Sequence, residues 1–71
     1  MKPLFSDREL AEIGLSIPTV EKAEVRQDGS IVVWQRGVEP FVEGDVTFSR
    51  HLAAHLESVG VPVSYAGLTN T

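Results

Sequence analysis

The chain has 71 residues, ten acidic and six basic side chains, no Cys, and a formal net charge of −4. That length allows a single small domain, and the lack of Cys removes disulfide frameworks and thiolate metal sites. No apolar run reaches the roughly 18 residues of a membrane span, and the opening Met1–Asp7 lacks the apolar stretch of a secretory signal.

The first element is a short helix with complete start signals. Ser6 and Glu9 form the S-x-x-E capping box, and Phe5 before the cap is placed to staple onto Leu10. Gly14 suits the left-handed residue after the helix, with Leu15 folding back onto Leu10, so the helix spans about 7–13. Ile17 precedes Pro18 and is pushed toward extended backbone.

An Asp28-Gly29 pair between two β-prone runs predicts a tight hairpin with a type I′ turn. In that register Gln27 faces Ser30, Val25 faces Val32, and Ala23 faces Trp34. One face then carries Ala23, Val25, Val32 and Trp34, and the other Glu24, Arg26, Ile31 and Val33. Trp34 is assigned to the core, as the largest apolar side chain available.

Gly37 to Asp45 is the least regular stretch. Pro40 breaks it and Gly44 turns it, leaving room for a short edge strand at 40–43. A second helix follows over about 47–59, with Phe48, Leu52, Leu56 and Val59 at helical spacing. Gly60 ends it, Val61 can contact Leu56, and Pro62 blocks continuation. Val61, Val63 and Tyr65 alternate as a last edge strand, and Gly67–Thr71 reads as a frayed tail.

The expected fold is therefore one small α+β domain over residues 1–71, in the order α-β-β-α-β. Its sheet is three-stranded and mostly antiparallel, with both helices packed on one face. The last strand is expected parallel to the second strand, or antiparallel beside the first.

Charge is unevenly placed. Residues 1–36 hold six acids and five bases, whereas residues 37–71 hold four acids and only Arg50. Glu39, Glu43 and Asp45 lie in a base-free segment, and no cluster of Lys or Arg offers phosphates a landing site. The balance argues against direct nucleic-acid binding and favours a basic protein surface as partner.

Residues Arg8-Glu9-Leu10-Ala11-Glu12-Ile13-Gly14-Leu15-Ser16-Ile17-Pro18-Thr19-Val20 resemble the helix-turn-helix of bacterial repressors and winged-helix regulators. The resemblance implies a recognition helix over Thr19–Arg26 and a wing over Gln27–Arg36, hence a DNA-binding regulator built from residues 7–36. The sequence departs from the pattern in two ways. Ala11 precedes Gly14 by three positions where the family has four, and the implied helix carries no net charge.

His51 and His55 have the i, i+4 spacing of metal pairs, and Glu43 or Asp45 could supply a third ligand. Spacing alone supports that, and two half-exposed histidines beside an apolar stripe are the plainer reading, so no metal is assigned. No nucleophile elbow, phosphate loop or calcium loop is present, and neither a cofactor nor a catalytic residue is assigned.

Together these features point to a small, acidic, non-enzymatic, cytoplasmic protein that binds another protein. An accessory regulator or inhibitor of the phage or mobile-element kind fits that size, as a monomer or as a homodimer through a strand edge. Its contacts are expected from Glu39, Phe41, Glu43 and Asp45, with Phe41 either an aromatic anchor in an acidic rim or folded onto the core.

Overall fold

A computed structural model describes residues 4–66. The 67–71 tail expected to fray lies outside the described residues. The order is α1 (Asp7–Glu12), a 3₁₀ turn (Ile17–Thr19), β1 (Val20–Val25), β2 (Ile31–Gln35), β3 (Val38–Glu43), α2 (Val46–Ser58) and β4 (Val63–Tyr65). The α+β class holds, but the sheet has four strands in the order β3-β2-β1-β4 and is mixed. The added strand is β3, which extends the short edge strand considered at 40–43 back to Val38.

That extra strand also corrects the place of β4. β3 reverses the chain once more, so α2 leaves a strand that already runs parallel to β1. The return strand β4 then pairs parallel to β1, with Ala23 opposite Val63 and Val25 opposite Tyr65. It is neither beside β2 nor antiparallel to β1, because both expectations lacked the β3 reversal.

Both helices begin and end as their sequences prescribe. Ser6 Oγ accepts from the Glu9 N–H while Glu9 Oε1 accepts from the Ser6 N–H, closing the capping box. Asp45 caps α2 by accepting from the Phe48 N–H at 2.9 Å. At the far ends, Leu15 donates to the Leu10 carbonyl and Val61 to the Leu56 carbonyl, each past a glycine of positive φ.

The hairpin forms with a different register. Arg26 N–H donates to the Ser30 carbonyl at 2.8 Å and Gly29 N–H to the Arg26 carbonyl at 3.0 Å, so the loop has three residues, Gln27 to Gly29. Asp28 does not take positive φ, which a type I′ turn requires; only Gly29 does, at +89°. Its carboxylate instead accepts from the Ser30 N–H at 2.9 Å and the Ser30 hydroxyl at 2.6 Å, tying the turn on its C-terminal side.

Val25 therefore faces Ile31, Ala23 faces Val33, and Lys22 faces Trp34. The slip of one residue puts Ile31 and Val33 in the core and turns Val32 and Trp34 to the opposite face. Trp34 is thus half-buried outside the core, correcting its assignment to it.

The core lies between the sheet and both helices. Ala23, Val25, Ile31 and Val33 meet Leu10, Leu15, Leu52, Ala53 and Leu56, all buried. Leu52 and Leu56 are fully enclosed, each worth about 1.5–3 kcal/mol of burial. Val59, the fourth member of the expected stripe, is instead exposed beyond the end of α2.

The helix-turn-helix resemblance does not survive the fold. Val20–Val25, the core of its recognition helix, is a strand paired on both sides. Its β-branched residues and alternating polarity satisfy a period of two.

Candidate functional site

The sheet face opposite the helices carries the alternate residues of each strand. Lys22 and Glu24 come from β1 and Arg26 from just beyond its end, Val32 and Trp34 from β2, and Val42 from β3. Among the described residues no helix covers this face. Val32 at its centre is buried by its neighbours, whereas Val42 is 63% exposed. Lys22 Nζ stands 4.8 Å from the Trp34 ring centroid, a cation–π pair across the ladder, worth about 0.5–1 kcal/mol at an exposed site.

β3 is the outer strand on this side. A bulge sets Glu39 and Pro40 opposite Trp34, because Val33 pairs with Phe41 and Gln35 with Val38. The hydrogen-bonded Arg26–Ser30 pair fixes the alternation of the ladder, so Ile31 and Val33 turn their backbone toward Glu43 and Phe41. Val42 then directs its N–H and C=O outward, and Pro40 beside it has no N–H to offer. The free edge is thereby short, which blunts strand-to-strand pairing and leaves recognition mainly to side chains.

The four residues singled out from sequence do not act as one unit. Phe41 turns inward and packs against the core, so it is not an exposed anchor. The apolar exposure falls on its neighbours Val38, 58% exposed, and Val42. Glu39 is exposed at the bulge. Glu43 is half-buried and accepts from the Asp45 N–H at 3.0 Å, while Asp45 caps α2, so both acids also hold the β3–α2 junction. Lys22, Trp34 and Val42 were missed. The register that brings them together depends on turn geometry that the hydrophobic pattern leaves open.

His51 and His55 part company. His51 is exposed, but His55 is buried, with its Nδ1 unpartnered and its ring edge-on to Phe5 at 5.5 Å. Among the described residues no three His, Asp or Glu side chains gather as a metal site, so neither Glu43 nor Asp45 completes one. No helix among them is long and apolar enough to cross a membrane.

Comparison with protein-family models, with curated proteins and with solved structures finds no match to this chain.

Proposed function

We propose that this protein is a binding module that acts on another protein through the open sheet face and the β3 margin. The single observation supporting this is the apolar pair Trp34 and Val42, set beside the exposed Glu39 on a sheet face that no helix covers among the described residues. An apolar centre with a polar rim is the usual anatomy of a protein interface. The acids favour a partner with a basic surface. In this reading the protein is an accessory regulator or inhibitor in the cytoplasm, without chemistry of its own.

The test is capture of partners by the wild-type chain and by Val42→Lys, followed by affinity measurement across a salt series. Val42 lies outside the core, so the substitution leaves the fold intact. Val42→Lys should abolish capture, and Glu39→Gln with Glu43→Gln should weaken binding most at low salt. A partner held equally by Val42→Lys overturns the proposal. Asp45→Asn is the informative control, because Asn retains the helix cap while losing the charge.

A further inference from the structure

The two edges of the sheet are built differently. At β3 the bulge, Pro40 and the exposed Glu39 interrupt pairing. The three residues of β4 carry no charge, proline or bulge. Ala23 N–H donates to the Pro62 carbonyl at 3.0 Å, and Ala66 N–H donates to the Val25 carbonyl at 2.8 Å. These bonds fix the alternation of the parallel ladder. Pro62, Ser64 and Ala66 direct their backbone to β1, so Val63 and Tyr65 turn both N–H and C=O outward. Among the described residues β4 ends the sheet, and no strand pairs with those outward groups.

This edge is complementary to itself. A two-fold axis through Ser64, perpendicular to the sheet, sets Val63 of one copy opposite Tyr65 of the other in antiparallel pairing. Each such pair exchanges two N–H···O bonds, so every outward group of both copies finds a partner. A shift to either side pairs one residue of each copy and strands the other. α2 supplies an independent match. It packs over β1 and β4, so the same axis lays the two α2 helices antiparallel on one side of the joined sheet. Arg50 and Glu57 lie about two turns apart on the flank of α2 that borders Tyr65. The reversal opposes Arg50 of each copy to Glu57 of the other. Arg50 has no ion-paired partner among the described residues, and Glu57 uses only Oε2 on the Tyr65 hydroxyl.

We propose that two copies of this chain pair edge to edge through β4 in this register, joining two four-stranded sheets into one with both α2 helices beside the axis. The open faces then lie on the same side, and the dimer presents its two Trp34–Val42 groups together. This contact is separate from the β3 margin and does not depend on its role.

The test is the solution mass of the full chain across concentration, with amide exchange followed by NMR. Mass should rise from one copy toward two, half-associated at about 100 µM, as suits an interface below about 1,200 Å². Exchange at the Val63 and Tyr65 amides should slow over the same range, while the Ser64 amide, bonded to β1 in either state, stays constant. Ser64 is exposed on the open face, and the axis sets it against its own copy, where like charges repel. Ser64→Glu and Ser64→Lys should each remain folded and monomeric, and their equimolar mixture should recover association. Arg50→Gln should weaken the dimer about fivefold, the loss of two exposed ion pairs. A monomeric mass up to millimolar concentration overturns the proposal, as does a mixture no more associated than either Ser64 variant, or Arg50→Gln associating like wild type. Protection of Val63 and Tyr65 that is independent of concentration also overturns it, because the chain would then cover its own edge.

Discussion

The side-chain amide of Gln35 donates to the Gly14 carbonyl oxygen at 2.8 Å, joining the end of β2 to the end of α1. Its carbonyl oxygen accepts from the Ser16 N–H at 2.9 Å and the Thr19 hydroxyl at 3.2 Å. One buried glutamine thus serves the irregular segment between α1 and β1, which no strand ladder could satisfy. Gln35→Ala should cost about 2–3 kcal/mol, since it strands two backbone groups as well as deleting the side chain. Thr19→Val removes the longest of the three contacts together with the 2.8 Å bond of the same hydroxyl to the Ser16 carbonyl, and should cost about 1 kcal/mol. Denaturant midpoints would show it, and a Gln35→Ala chain as stable as wild type would remove Gln35 from this role.

Gly29 and Val46 give a second prediction. Gly29→Ala meets two penalties: a positive φ and the approach to Val46. Together they should cost about 2 kcal/mol. Val46→Ala should recover the steric part in a double-mutant cycle and leave about 1 kcal/mol from the backbone. Full additivity of the two substitutions would mean that the turn does not rest on α2.

This turn also marks the limit of what the sequence discloses. The capping box at Ser6 and the glycines after both helices are local signals, and the helices lie where they point; the Asp45 cap starts α2 one residue ahead of the expected 47. The polar alternation Lys22-Ala23-Glu24-Val25 likewise identifies the inner face of β1. The first four residues of β2, Ile31 to Trp34, are all apolar, so either register buries apolar side chains. The choice falls to the Asp28–Ser30 hydrogen bonds, which no hydrophobic pattern reports. β3 was hard to see for a related reason: Pro40 disrupts its sequence, but the bulge absorbs the proline on an edge strand. Of the candidate site, the exposed acid Glu39 was legible. For Phe41 the sequence leaves an inward and an outward reading open, and its pairing with the core-facing Val33 decides for the inward one.

A third prediction concerns acid. The Ser30 hydroxyl first, and then the Ser30 N–H, hold the Asp28 carboxyl below its usual value of 3.8. A carboxyl depressed in the folded state contributes stability above its unfolded value, and that contribution fades as pH falls through the folded one. Ser30→Ala should therefore be less stable than wild type at neutral pH. The gap should narrow below about pH 4, where the unfolded carboxyl is largely protonated. Carbon-detected titration of Asp28 gives a direct reading: its midpoint should move up in Ser30→Ala. An unmoved midpoint contradicts the hydrogen-bond account.

At the opposite end of the pH scale, burial first and then the hydrogen bond to Glu57 raise the Tyr65 phenol above its usual 10.0. A group raised on folding supports the fold below its unfolded value and loses that support as pH climbs through the folded one. Glu57→Gln keeps a hydrogen-bond acceptor but removes the negative charge, so the Tyr65 midpoint should fall toward the ordinary phenol value. Absorbance of the single tyrosine at alkaline pH measures it, and an unchanged midpoint would leave burial as the sole cause.

The last prediction turns on His55. The ring is 2% exposed and its Nδ1 meets no hydrogen-bond partner. What holds it is shape: its plane stands at 88° to the Phe5 ring, which itself meets Phe48 edge-on at 5.6 Å. An orphaned buried polar atom costs about 1–3 kcal/mol, whereas an edge-to-face aromatic pair contributes about 0.5–1.5 kcal/mol. His55→Phe keeps the ring and deletes the orphan, so it should stabilise the protein by about 1 kcal/mol, raising Tm by about 4–8 °C at this size. The slightly larger ring takes back part of the gain. His55→Ala removes ring and orphan together and should destabilise by about 2–3 kcal/mol, because the cavity beside Phe5 outweighs the relief. Opposite signs for the two variants would establish that packing, and not a polar contact, keeps a histidine here. A destabilised His55→Phe would instead place a hydrogen-bond partner on Nδ1 in solution.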